Sequence, residues 1–418
     1  MNKIQIPEGM ETRVFIMSEN ALEDVPELLA ETFPGKKPLL IADENTWKAA
    51  GERLQKLLPC SFPAKIYPGS PRLHPNSSYC DALAAELPSN CVPVAVGSGV
   101  INDIVKRASG MKEIPYCCVP TACSVDGYTS FGAALSVDGF KKTMPCPAPY
   151  AIAADLTILR TAPPDMLSSG YADLLTKVPA GADWLLADTM EEAPIREDIW
   201  ALIQKDLRKW VSDAENMNDV FMGLAATGYA MQIMRDSRPA SGAEHLMSHI
   251  WEMEGLQYKG EEVSHGFKVG IGTIASASLM WFICNTPLAK ARALAKAPET
   301  REEYEKRVDA LLVKDCYGNA KEVAMSKFLP EKELLAKREK IFHNWEKIGE
   351  RMRKQLFTVA EFKSLLAKAH CPIAIEEVGL NKEQYLHGIE TAQLIRNRYT
   401  NLDLLQEAGL LKEALKTL

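Results

Sequence analysis

Five strand-like segments, separated by four helical ones, fill the first third of the chain and restrict its fold more than any other feature. They are ETRVFIM (11–17), the apolar KPLLIADENTW (37–47) ending its strand in Asp43, the short AKIYPG (64–69), the continuously apolar VPVAVGSG (92–99) and the apolar IPYCCVPTA (114–122). Between them, LEDVPELLAETF (22–33), KAAGERLQKLL (48–58), NSSYCDALAAEL (76–87) and VINDIVKRASG (100–110) carry helical periodicity. Asn76 or Ser77 caps the third helix and Gly110 ends the fourth. Strands that are apolar throughout, and not alternately, are buried on both faces, so the pattern predicts a parallel sheet covered by helices. Residues 129–155, TSFGAALSVDGFKKTMPCPAPYAIAAD, break the alternation, and their VDG turn predicts a β-hairpin flap. Two prolines in RTAPPD (160–165) mark a boundary, beyond which the strand signal stops. Residues 165–280 read as successive helices, residues 286–356 as a charged, solvated helical face, and TVAEFKSLLAKAH with LNKEQYLHGIETAQLIRNRY as a further helix pair. The expectation is a nucleotide-type α/β domain over 1–162 and an all-helical domain over 163–418.

Composition narrows the partners. At 418 residues and 47% hydrophobic, the chain is long enough for two or three buried cores. A net charge of −7 disfavours nucleic acid or an anionic membrane as the main partner. The opening MNKIQIPEGMETR has no apolar signal core, and the longest apolar run, Gly270–Cys284, is short for a membrane span and rich in small residues. Ten cysteines without a CxxC pair read as reduced side chains of a cytoplasmic protein.

Four stretches carry chemistry. In VAVGSGVINDIVK (94–106), Gly97, Ser98 and Gly99 form a turn between strand and helix. Such a turn lets backbone N–H groups approach a diphosphate at a helix N-terminus, although a plain βα turn has the same look. Asp103 is one turn into that helix. VPTACSVDGYTSFG (119–132) crowds Thr121, Ser124, Asp126, Thr129 and Ser130 beyond a strand's carboxyl end, where open α/β sheets bind ligands. SSGYADLLTKVPAGADW (168–184) sets Asp173 in apolar surroundings, and a buried carboxylate needs a cation or donors. SRPASGAEHLMSHIWEMEGLQYKGEEVSHGFKVGIGT (237–273) holds three of the seven histidines. His245 and His249 are four apart and share a helix face; Glu244 is expected to point elsewhere. The same spacing serves an ordinary helix face. One carboxylate with two imidazoles makes a small open site suited to zinc, nickel or ferrous iron.

GSGVIND, PTACSVDGYTS, GYADLLTK, RPASGAEHLMSH and SHGFKVGIG, in this order, resemble the sn-glycerol-1-phosphate dehydrogenases. These lie within a superfamily of metal-dependent alcohol dehydrogenases, glycerol dehydrogenases and dehydroquinate synthases. The resemblance implies a Rossmann-like N-terminal domain and a helical metal- and substrate-binding domain. It implies Asp173, His245 and His265 as metal ligands, and Asp126 and His249, beside Asp173, at the substrate as catalytic or binding groups. Asp43, Gly97, Ser98, Gly99, Asp103, Thr121, Ser124 and Ser130 would hold NAD(H) or NADP(H). Iron-containing alcohol dehydrogenases place another histidine four residues after the aspartate; here that position is Lys177. The departure favours three protein ligands completed by substrate or water. A homo-oligomer, a dimer, is implied as well.

The implied reaction is reversible reduction of dihydroxyacetone phosphate to sn-glycerol 1-phosphate. Arg238 and Lys177 are the cations nearest the motifs for the phosphate, and Asp43 at a strand end favours NADH through the ribose 2′-hydroxyl. Three other readings remain: a dehydrogenase of glycerol or another small polyol, a dehydroquinate-synthase-like lyase with a more basic pocket, and a nucleotide-binding regulator with a closed structural metal.

Overall fold

The computed structural model describes residues 1–137 and 140–418. The five expected strands form: β1 (Val14–Ser18), β2 (Lys37–Asp43), β3 (Lys65–Tyr67), β4 (Cys91–Gly97) and β5 (Cys117–Pro120). The hairpin forms too, as β6 (Ala133–Val137) against β7 (Phe140–Met144), antiparallel. Two residues of its expected VDG turn, Asp138 and Gly139, lie outside the described residues. A sixth sheet strand, β8 (Ala151–Asp155), was not expected. Its sequence, AIAAD, is mostly alanine, which has little β propensity. Pairing with β1 on one side and β5 on the other makes it a strand.

The sheet is parallel throughout, in the order β1-β8-β5-β4-β2-β3. After β2 the chain moves outward to β3, then returns to lay β4 on the other side of β2 and proceeds to β5. The direction of winding therefore reverses between β2 and β4, and a ligand crevice forms beyond the strand ends at such a point. Asp43 and Gly97 are the last residues of those two strands. The sheet's buried side chains, among them Leu40, Val94, Val96, Val119 and Ala153, pack under the flanking helices.

The chain divides into two compact units. The first comprises Met1–Leu174 with Lys209–Asp236, and the second Leu175–Arg208 with Ser237–Leu418. The end of the strand signal near residue 162 is thus followed by one more helix, Pro164–Leu175, most of it in the first unit. The returning helix Met217–Met234 completes that unit: Phe221 meets Phe15 and Tyr128, with ring centroids 6.1 and 5.7 Å apart. Gly228 lets it close on the loop after β5, because a Cβ there would lie 1.8 Å from Thr129 Oγ1.

In the second unit every described element is helical apart from a two-residue ribbon, Gln257–Tyr258 with Glu261–Glu262. Helices Ala243–Met253 and His265–Asn285 pack at Gly272, where a Cβ would stand 2.5 Å from the Glu244 carbonyl oxygen. The latter helix is long and apolar enough to cross a membrane, yet 72% of its most apolar window is buried inside the protein. All ten cysteines are free, and Cys117, Cys118 and Cys123 are buried as expected.

Candidate active site

The β4 turn is built for close approach. Gly97 ends the strand, Ser98 is the extended N-cap and Gly99 starts the helix Gly99–Met111. A Cβ at Gly97 would fall 2.6 Å from the Ile101 side chain, so glycine is needed there. Asp43 ends β2 and caps the next turn, its Oδ1 accepting from the backbone of Asn45 at 2.9 Å and Thr46 at 2.8 Å. One oxygen of the expected ribose ligand is therefore already engaged.

The loop after β5 is organised from inside by Lys106, a residue missed in the sequence. Its ammonium group is fully buried and donates to the carbonyls of Gly127, Ser130 and Gly132 at 2.8, 3.1 and 3.1 Å. An ammonium has three hydrogens and here meets three carbonyls. Asp103 lies 3.7 Å from it, and Asp103 Oδ2 accepts from the Ala134 amide in β6 at 3.2 Å. Thr121, Ser124 and Ser130 are buried; Ser124 Oγ is 3.3 Å from Tyr128 Oη, and Ser130 Oγ donates to Gly127 O at 3.1 Å. Thr129 Oγ1 donates to Ala225 O at 2.7 Å. The Ser124, Thr129 and Ser130 hydroxyls thus shape the loop. Asp126 leads its short 3-10 turn, and its amide donates to Asp173 Oδ2 at 3.0 Å.

The three histidines form one face. His245 and His249 are on one helix and His265 opens another, with ring centroids 5.4 Å apart for His245–His265, 6.5 Å for His245–His249 and 6.3 Å for His249–His265. Ser264 caps the His265 helix by accepting from the Phe267 amide at 3.3 Å. His249 Nδ1 is 3.8 Å from Glu252, which also faces the buried Lys268 at 3.8 Å. Glu244 does not point away from the site: its Oε1 sits 3.0 Å from His245 Nδ1. Side chain and ring are adjacent in sequence, so the helical spacing that separates their Cβ directions did not show that the carboxylate curls back. Burial and the neighbouring Glu244 charge push the Asp183 carboxyl up to about 7.

Asp173, His245 and His265 each offer a ligand atom, and these atoms lie within 4.8 Å of one another. Asp173 is fully buried near the end of the helix Pro164–Leu175. A buried carboxylate with two imidazoles, one of them backed by a carboxylate, is a donor set that fits a divalent transition ion. Lys177, in the position of a fourth ligand, is the buried first residue of the next helix, Lys177–Thr189. Arg238 donates to Tyr399 O at 3.3 Å.

A family model described as iron-containing alcohol dehydrogenase matches residues 16–163. The glycerol-1-phosphate dehydrogenase (NAD(P)+) of Geobacillus stearothermophilus is 31% identical over 332 residues, 76% of this chain and 72% of that protein. Its namesake from Bacillus licheniformis is 28% identical and aligns with 94% of this chain and 89% of its own length. Among solved structures, glycerol dehydrogenase from Schizosaccharomyces pombe superposes with a TM-score of 0.58 at 15% identity, covering 99% of this chain and 92% of that one. That likeness speaks for the fold, a nucleotide-type sheet followed by helices, while the closer sequence likeness extends through the helical part that carries His245 and His265. On that footing the chain belongs to the glycerol-1-phosphate dehydrogenase family.

Proposed function

We propose that the chain catalyses the reversible, NAD(P)H-dependent reduction of dihydroxyacetone phosphate to sn-glycerol 1-phosphate. The observation that carries this reading is the Asp173, His245 and His265 group in a chain of this family. When bound, the nicotinamide supplies the hydride and a divalent ion at these residues supplies Lewis-acid stabilisation of the negative charge that grows on the carbonyl oxygen. The residues do the rest. The Gly97–Gly99 turn holds the diphosphate at a helix N-terminus. Thr121, Ser124 and Ser130 shape the loop beside it, with Asp103 tying that loop to the hairpin. Asp43 presents its second oxygen to the ribose, which favours NADH. Asp126 orients a substrate hydroxyl and His249 delivers a proton to the C2 oxygen. Ten free cysteines support a cytoplasmic setting, and the resemblance supports a homodimer.

The test is NADH oxidation with dihydroxyacetone phosphate and with dihydroxyacetone, after chelation and after return of zinc, nickel or ferrous iron, with the product's configuration determined. Activity should vanish on chelation and return with metal. A site that bonds the phosphate should favour the phosphorylated ketone by at least ~10²-fold in kcat/KM. Equal kcat/KM for both ketones would make the enzyme a small-polyol dehydrogenase.

His249 has its own test. General acid–base help of this kind contributes typically ~10²–10⁴-fold. In His249→Asn, kcat/KM should fall at least ~10-fold, about 1.4 kcal/mol, while metal content and Tm stay near wild type. Unchanged kcat/KM, or a variant that unfolds, would return His249 to the packing residues.

A further inference from the structure

Glu244 is fully buried in the first turn of its helix, and nothing in the proposed reaction uses it. A carboxylate in such a place costs free energy unless it is bonded or paired. Its Oε1 accepts the Gly242 amide hydrogen at 2.6 Å and lies 3.0 Å from His245 Nδ1. An oxygen that already accepts one hydrogen can take a second from the ring, so Nδ1 carries the hydrogen and Nε2 keeps the lone pair. The turn in front of the helix is braced from the other side by Asp183. Its Oδ2 accepts the Ala243 amide at 2.8 Å, and its Oδ1 accepts the backbone and side-chain N–H of Asn401 at 2.7 and 3.0 Å. Asn401 Nδ2 also reaches Ser276 Oγ at 3.0 Å. Gly242 sits between the two carboxylates: a Cβ there would lie 2.5 Å from Asp183 Oδ2 and 2.9 Å from Glu244 Oε2.

We propose that Glu244 is a positioning residue of the metal centre, fixing His245 with Nε2 as its ligand atom, and that Asp183 and Asn401 brace the turn from which it acts. This rests on the metal reading above and not on the identity of the substrate. A carboxylate behind a ligating imidazole fixes the ring and raises its basicity, and losing it typically costs ~10–100-fold in metal affinity. The structural alternative is that Glu244 only favours the helix N-terminus by its charge.

The test uses metal alone. Zn²⁺ affinity of full-length wild type, Glu244→Gln and Glu244→Ala is measured by competition with a chromophoric chelator, alongside the visible spectrum of the Co²⁺-loaded proteins. Glu244→Ala should bind Zn²⁺ ~10–100-fold more weakly with an altered Co²⁺ spectrum. Glu244→Gln, which keeps an accepting oxygen, should recover part of the affinity and the wild-type band shape. Wild-type affinity and spectrum in Glu244→Ala would overturn the proposal while leaving the metal site intact. Should Glu244→Ala not fold, Glu244→Gln together with Asn401→Ala decides: weakened Zn²⁺ binding in both supports the proposal, and wild-type binding in both overturns it. A wild type that binds neither metal would remove the metal reading itself.

Discussion

His265→Ala emerges without its metal and with kcat/KM lowered by at least ~10³-fold. Three protein ligands leave no reserve: removing one imidazole leaves a carboxylate and a single ring, too few to hold an ion against water. The charge stabilisation lost with the ion is worth several kcal/mol, and about 4 kcal/mol corresponds to ~10³-fold. His245→Ala and Asp173→Asn should behave alike. The last is the most informative, since asparagine preserves the shape and an oxygen able to accept from the Asp126 amide, the bond now made to Asp173 Oδ2 at 3.0 Å. It should therefore fold and lose only the metal. Elemental analysis is the check: full occupancy in any one of these variants removes that residue from the ligand set.

Lys106→Met is expected to lower stability by about 3–5 kcal/mol, as when one partner of a buried charged cluster is deleted. Methionine replaces the stem but donates nothing, so the carbonyls of Gly127, Ser130 and Gly132 lose their buried donor and Asp103 loses a cation 3.7 Å away. Because these carbonyls belong to the loop that carries Ser124 and Ser130, the residues placed beside the coenzyme, the KM for NADH should rise in the same variant. Thermal unfolding and coenzyme kinetics measured together check this. A Tm within a degree of wild type would show that the loop holds its shape without the ammonium.

The sequence revealed much of this architecture because burial on both sheet faces writes itself as unbroken apolar runs, as in β2, β4 and β5, whereas the edge strand β3 is short and leaves Ile66 exposed. β8 escaped because AIAAD is small rather than branched and owes its strand to neighbours on both sides. Asp173 stood out as a carboxylate in an apolar stretch and His245 by its spacing from His249, the family resemblance added His265 to them, and the structure brings the three ligand atoms together. Lys106 and Glu244 did not stand out, since a lysine in VINDIVKRASG and a glutamate next to a histidine both read as solvated helix residues. Only tertiary contacts show that each is fully enclosed. The crossing back of Met217–Met234 was equally invisible, because an apolar helix does not announce which unit it joins.

That crossing bears on how the polypeptide leaves the ribosome. β1 finds its partner in β8, more than a hundred residues downstream, so the sheet closes only once residue 155 has emerged. Even then Phe15, Tyr128 and Thr129 await the helix Met217–Met234, and Glu11 awaits Gln232, whose side chain accepts its amide at 3.0 Å. The intervening stretch, Leu175–Arg208, belongs to the other unit and is synthesised first. The N-terminal half is therefore finished by residues made after the C-terminal half has begun. Vectorial synthesis imposes an interleaved order, and an N-terminal fragment meant to stand alone has to reach Asp236 rather than stop where the strands end.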